Sequence, residues 1–312
     1  MRAYEQEILK SMLKDEKDVI KQLQELYKDT LSQIDNEIAR LQGRYDTEQL
    51  SSVIYQLDYQ KALKKEIEGY LNTLQSKQYT TITDYLTECY NSGFMGTMYS
   101  LNQQGIPLIM PIDQEQVINA IVHQSKISKS LYEALGLDVS NFRKQISSEI
   151  SRGIANKLSY QEIANNIQRM SGIPLNNAIR IARTEGHRIT SQSQLDASIK
   201  AKEQGADIVN QWNATLDSRT RKTHQMLDGQ IREVGDYFEI NGHKALAPSQ
   251  FGIAREDINC RCALSQRAKW ALDDEELKVL EERAKFYGLD KTKDLDDFKN
   301  KYLKAVEEET NK

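Results

Sequence analysis

The feature that most constrains the fold is a long stretch without a helix breaker. From Arg2 to Gln42 there is neither Gly nor Pro. From Leu23 onward the apolar residues Leu23, Tyr27, Leu31, Ile34, Ile38, Leu41 and Tyr45 follow one another in steps of 4, 4, 3, 4, 3 and 4. That is the seam of a coiled coil or a long helical hairpin. A single helix with such a stripe is marginal in water until another element covers it. Gly43 and Asp46-Thr47 mark a turn, and a second periodic segment follows over residues 48–75, with Leu50, Ile54, Leu57, Leu63, Ile67 and Leu71 on one side. Two antiparallel helices are the simplest solution. The same seam could instead dock against the helices of a partner.

Composition agrees. Apolar residues make up 39% and aromatics 7%, and 15 of the aromatic residues are Tyr. That is lean for one large core and suits long helices sharing a modest apolar seam. A chain of 312 residues has room for two or three domains.

The helical texture continues with a third helix over 82–101, holding Cys89, up to a break at Gly105-Ile106-Pro107. The run Leu108-Ile109-Met110 reads as a connector or a brief strand. Helices resume over 114–124, 128–135 and 138–157. Ser159-Tyr160-Gln161-Glu162 has the form of a capping box, opening a helix that ends near Ser171-Gly172. Pro174 suits the first turn of the next helix, and Gly205 its C-terminal cap. On that helix Arg180, Arg183 and His187 share a face.

After Gly205 the texture changes. Residues 208–215, through Trp212, read as a strand. Asn241-Gly242, between 237–240 and 243–246, is a strong hairpin signal, because both central residues of a type I′ turn need positive φ. A last strand is expected over 259–266, and a short helix capped by Asp217 or Ser218 runs through Met226. The tail returns to helix, with Asp273-Asp274-Glu275-Glu276 at one N-terminus, a break at Gly288 and a final helix over 295–308. The expectation is an α+β protein: a helical region of long helices over 1–171, a small α+β domain over 172–267, and a helical acidic tail over 268–312.

The net charge of −4 is uneven. Residues 172–272 carry 14 Lys+Arg against 11 Asp+Glu, while 1–171 carry 19 against 22 and 273–312 carry 9 against 13. This mild basic bias falls short of a dedicated duplex-binding surface. No apolar stretch is long enough to span a bilayer, and the start lacks a signal core, so synthesis in a cytosol-like compartment is expected and no membrane partner. Three cysteines do not make a disulfide framework.

The unusual chemistry gathers in 172–267. Cys260 and Cys262, two apart on an expected strand, would point to one face, with His224 36 residues upstream. Thiolates and imidazole are zinc ligands, and Asp228 or His243 could supply a fourth. Packing alone is the competing role for the thiols. A thiol nucleophile, Cys260 or Cys262 with His224 as base and an Asp to orient it, is another arrangement. Arg183-Thr184-Glu185 reads either as a site on the helix face or as a buried Arg–Glu pair tying helix to sheet. Arg219, Arg221 and Lys222 near His224 could grip the phosphates of double-stranded DNA, or form a solvated turn.

As an ordered set, Arg183-Thr184-Glu185, Trp212, Asp217, Arg219-Thr220-Arg221, His224, Leu227-Asp228-Gly229, Pro248 and Asn259-Cys260-Arg261-Cys262 resemble the phage Mu F-like minor head proteins, the head morphogenesis family. The resemblance covers about a third of the chain; residues 1–171 match only in helical style. Two departures are Lys222-Thr223 ahead of His224, which adds a charge, and Ser249 after Pro248, where Gly is common. The resemblance implies a low-copy virion protein of a tailed bacteriophage, made in the host bacterial cytoplasm. It would associate with the portal protein during procapsid assembly, lie inside the head near the DNA exit, and act in genome packaging or ejection. It implies no catalytic residues, although the same domain also occurs joined to toxin domains. It strengthens a structural zinc at His224, Cys260 and Cys262. Two rivals remain: a metal- or thiol-dependent hydrolase or transferase built on 172–267, and DNA binding as the main role.

Overall fold

A computed structural model describes residues 2–44, 53–122, 126–156, 158, 160–215, 217–268, 281–282 and 284–310. Tyr45, the Asp46-Thr47 turn, Leu50, Ser159 of the expected capping box, and Asp273–Glu276 lie outside the described residues, as do the side chains of Ile54 and Leu57. The protein is α+β: long helices first, small antiparallel sheets after residue 207, and a helix at the end.

The elements are α1 (Ala3–Gln42), α2 (Val53–Asn102), α3 (Gln114–Val122), α4 (Lys126–Ala155), α5 (Tyr160–Met170) and α6 (Gly172–Glu203). They continue with β1 (Ile208–Asn213), α7 (Lys222–Leu227), β2 (Ile231–Glu233), β3 (Phe238–Ile240), β4 (His243–Ala245), α8 (Ala254–Asp257), β5 (Ala263–Ala268), a 3₁₀ turn at Leu289–Lys291 and α9 (Leu295–Thr310). By contacts the chain forms two compact units. One comprises Lys17–Asp84 and Lys129–Ala182; the other comprises Met1–Glu16, Tyr85–Ser128 and Arg183–Lys312.

The first of these is helical throughout. The seam of α1 is buried at Leu23, Tyr27, Ile34, Ile38 and Leu41, and that of α2 at Leu63, Ile67 and Leu71. Leu31 is half-buried, and Thr30 beside it is buried instead, its hydroxyl donating to the Leu26 carbonyl at 2.9 Å. Tyr27 donates to Gln78 at 2.6 Å, and Arg40 lies near Glu66, so the two helices run antiparallel. The separate helices expected over 48–75 and 82–101 are one helix. The polar stretch Ser76–Thr81 does not break it, because Gln78 is fully buried against Tyr27 and Thr80 returns its hydroxyl to the Ser76 carbonyl. Gly136 likewise fails to divide α4, which runs through both expected helices.

The other unit holds the sheets. Here α2 and α6 approach closely. A Cβ on Gly93 would lie 2.9 Å from the Thr190 carbonyl oxygen, and one on Gly186 would lie 2.4 Å from the Tyr85 hydroxyl. The Ser193 hydroxyl donates to the Tyr90 carbonyl, and the Tyr90 hydroxyl donates to Asp196 at 2.7 Å. The 106–110 segment is a buried connector without strand structure; Tyr302 of α9 bonds both the amide and the carbonyl of Met110, at 2.9 and 2.7 Å. α6 ends as expected at Gly205, whose φ is +90°.

The three-stranded sheet has the order β2-β1-β5, all antiparallel, with Trp212 opposite Leu264. β3 and β4 form the expected hairpin, with φ +49° at Asn241 and +81° at Gly242. The outer edge of β5 is closed by side chains. Gln104 donates to the Gln266 carbonyl and accepts from the Ala268 amide, both at 3.1 Å. This blunts an edge that could otherwise pair with another chain.

Candidate functional site

The small domain is built around Trp212, which is fully buried. Its ring meets Phe238 edge-on at 5.2 Å, Phe251 at 5.8 Å and His224 at 5.9 Å. Cys260, Cys262, Leu227, Ile240 and Leu264 belong to the same apolar cluster. β1 carries Trp212 into this core by strand alternation. α7 brings His224 to it, and the turn after α8 brings the two cysteines.

The three residues meet. His224 Nδ1 lies 3.2 Å from Cys262 Sγ and 3.6 Å from Cys260 Sγ. All three donor atoms lie within 4.8 Å of one another, and the residues are 1%, 1% and 4% exposed in the order His224, Cys260, Cys262. The cysteines are not on a strand, as expected from the sequence; they precede β5 in the turn that α8 leaves. Asn259, at φ +54°, turns the chain into Cys260. The Cys262 thiol and His224 together hold the Cys260 thiol well below its ordinary pKa despite burial. Cys260 in turn pushes Cys262 up, and burial adds to this, although the Trp212 indole N–H and the Thr215 amide N–H favour the Cys262 thiolate.

The expected fourth ligands are elsewhere. Asp228 is exposed and its carboxylate accepts the Ala214 amide at 2.8 Å. His243 is exposed at the hairpin turn. Both are corrections to the sequence reading. Asp228 is committed to joining α7 to β1, and the type I′ turn carries His243 to the surface. The residue that sequence reasoning missed is Glu256 of α8, which is 2% exposed, with Oε2 3.3 Å from His224 Nε2. That contact is close enough for an ion pair but lies off the hydrogen-bond direction. Glu256 also accepts from Thr223 at 3.0 Å and Arg255 at 3.1 Å. Burial raises its pKa, and these partners with His224 outweigh that, leaving it below the usual carboxylate value. No spacing rule singles out an acid inside Ala254-Arg255-Glu256-Asp257.

The other motif residues hold the backbone together. The two oxygens of Asp217 accept the Arg261 fork, both at 2.6 Å, and Arg261 holds this carboxyl far below its ordinary range. Asp217 also accepts the Arg219 amide at 2.9 Å, so it closes a turn; the helix begins later, at Lys222. Thr220 donates to the Thr215 carbonyl. Arg221 donates to the Ile258 carbonyl at 2.5 Å. The Gly229 amide, at φ +76°, donates to the Trp212 carbonyl at 2.8 Å. The Asn259 amide donates to the Thr184 hydroxyl at 3.2 Å.

The expected Arg183–Glu185 pair is not formed. Helical geometry sends neighbouring residues to different faces, so Glu185 pairs with Arg188 at 2.9 Å, both buried, and Arg188 also donates to the Ala120 carbonyl. Arg183 is 44% exposed and meets Glu16 of α1 at 2.9 Å, beside His187 at 3.2 Å from the same carboxylate. Of the three candidate DNA contacts, Arg219 and Lys222 are exposed, whereas Arg221 is half-buried and engaged.

A model of the phage Mu protein F-like family matches residues 144–265, from within α4 to β5. The chain carries a Mu F-like domain. It is also similar to the minor head protein GP7 of Bacillus phage SPP1, 31% identical over 211 residues that make up 66% of this chain and 62% of GP7. To the NAD(+)–arginine ADP-ribosyltransferase EFV of Enterococcus faecalis (strain ATCC 700802 / V583) it is 37% identical over 202 residues, 63% of this chain and 41% of EFV. The chain thus spans less than two thirds of either relative. No solved structure matches it at a significant level. Among the described residues, no helix is long and apolar enough to cross a membrane.

Proposed function

We propose that the chain is a minor head protein of a tailed bacteriophage, made in the host cytoplasm and carried in low copy inside the head beside the portal. In that place it acts in procapsid assembly and in packaging or ejection of the genome. The observation that carries this reading is how the Mu F-like motif uses its side chains. Thr184, Asp217, Thr220, Arg221, Asp228 and Arg261 bond to one another or to backbone, so the motif builds a scaffold. The likeness to GP7, a minor head protein by name, supports it. Arg219 and Lys222, both exposed, suit contact with packaged DNA. Quantitative mass spectrometry of purified particles, counting the protein against portal and major capsid proteins, is expected to find a few copies per portal ring. Absence from particles overturns the reading.

The 37% identity to EFV favours a second reading, ADP-ribosyl transfer. We assign that named activity to the part of EFV outside the shared stretch, which is 41% of its length. The Mu F-like core here buries His224 and both thiols. The same burial weighs against a thiol-dependent hydrolase, since a nucleophilic cysteine needs access. Incubating the full chain with labelled NAD+ and an arginine-containing acceptor is expected to show no transfer. Transfer would make the protein an enzyme.

A further inference from the structure

We propose that His224, Cys260 and Cys262 bind a zinc ion whose fourth ligand is not a side chain of this protein but a water molecule or small anion, drawn from the polar cavity beside them. The donor set comes first. Zinc takes imidazole nitrogen at about 2.0–2.1 Å and thiolate sulfur at about 2.3 Å, tetrahedrally. That geometry separates nitrogen from sulfur by about 3.6 Å. His224 Nδ1 stands 3.6 Å from one sulfur and 3.2 Å from the other, so little movement is needed to centre an ion.

The ring is also held as a ligand. Nδ1 faces the sulfurs while Nε2 faces the Glu256 carboxylate at 3.3 Å, and Glu256 is itself fastened by Thr223 and Arg255. A carboxylate at this distance favours by charge the ring orientation that turns Nδ1 to the sulfurs, although the contact lies off the hydrogen-bond direction. Packing alone would not require three donors from α7 and a distant turn to converge inside an aromatic core.

The open position follows from what surrounds the ligands. Asp228 and His243 point elsewhere, and Glu256 stands behind the ring, facing Nε2. The cavity against His224 and Cys262 is walled by Arg219, Arg221, Arg261 and Asn259. Two thiolates and a zinc ion sum to zero charge, and the wall carries three guanidinium groups, while the nearby carboxylates are Asp217, paired with Arg261 and Arg219, and Glu256 behind the ring, paired with Arg255. An anion is therefore favoured there over a cation. Three protein ligands and an exogenous fourth is an arrangement that zinc accepts.

The test uses the full chain. It is purified without chelator and its metal measured by mass spectrometry; then zinc is exchanged for cobalt, and azide or inorganic phosphate is titrated while the visible spectrum is followed. The expectation is about one zinc per chain, intense visible cobalt bands of a tetrahedral sulfur-ligated site, and a shift of those bands on adding anion. Arg219→Ala, at an exposed position, is expected to weaken the anion effect several-fold with the metal retained. Folded wild-type protein without metal overturns the site. Bound cobalt with a spectrum blind to anions overturns the open position and leaves a closed site. Cys260→Ser and Cys262→Ser should lower metal content, and if either fails to fold, the wild-type stoichiometry and spectrum still decide.

Discussion

Replacing Ser249 with Gly is expected to stabilise the protein by about 1–4 kcal/mol. Ser249 follows Pro248 in the Mu F-like loop and sits at φ +61°, in the left-handed region. That conformation costs an L-residue about 1–2 kcal/mol. Its hydroxyl is buried without a hydrogen-bond partner, and the residue is 2% exposed; such a group costs about 1–3 kcal/mol. Glycine relieves both, and its freedom in the unfolded chain takes back about 0.5–1 kcal/mol. Ser249→Ala separates the contributions, since it removes the hydroxyl and keeps the strained φ. Glycine should exceed alanine by about 0.5–1 kcal/mol. Thermal unfolding reads this directly. For the unit holding the loop, about 190 residues, each kcal/mol moves Tm by about 2–4 °C, so Ser249→Gly should raise it by at least about 2–4 °C. A glycine variant no more stable than the alanine variant would refute the left-handed argument.

Gly186→Ala should cost about 1 kcal/mol net, the overpacking against Tyr85 exceeding the gain in helix propensity; in a Tyr85→Leu background the same change should stabilise, and additive thermal shifts would contradict the contact. Gln104→Met leaves the Ala268 amide and Gln266 carbonyl at the β5 edge unpaired. It should cost about 2 kcal/mol and promote self-association on size-exclusion chromatography; an unchanged melting curve argues against the cap. Asp217→Asn should lower stability at neutral pH. Because Arg261 depresses the Asp217 pKa, its contribution is complete above the unfolded value near 3.9 and fades as pH falls through the lower folded value. Denaturation of both proteins from pH 7 to 2 checks this, and a gap that persists unchanged into strong acid would rule it out.

The sequence was most legible where local rules and burial agree. The seam of α1, Pro174 and Gly205 around α6, and Asn241-Gly242 in the hairpin each stand where periodicity or φ requirements place them. It was least legible where a tertiary partner overrides local preference. Gln78 keeps α2 whole only because Tyr27 covers it. β2 and α8 are three and four residues long, and their positions come from β1 and from the cysteine turn rather than from any period. At the site, the convergence of His224, Cys260 and Cys262 could be anticipated from residue type, but Glu256 could not, since its role depends on the orientation of one ring. Arg183 and Glu185 mislead because adjacency in sequence opposes adjacency on a helix.

The division of the chain into interleaved segments also sets a schedule for its birth. Ribosomes add about 5–20 residues per second. Lys17–Asp84 contains both halves of an antiparallel helical pair and can close early, within itself. Met1–Glu16, whose Glu16 binds Arg183 and His187, must wait on the order of ten to forty seconds for those partners to be made. Until then the amino-terminal turns of α1 lack the partners that cover them in the folded unit. The unit that holds the sheets cannot close until the last of its segments is out. A nascent chain stalled before Arg183 would therefore display the start of α1 as a sticky end, and truncated products of this protein should be handled by chaperones rather than accumulate.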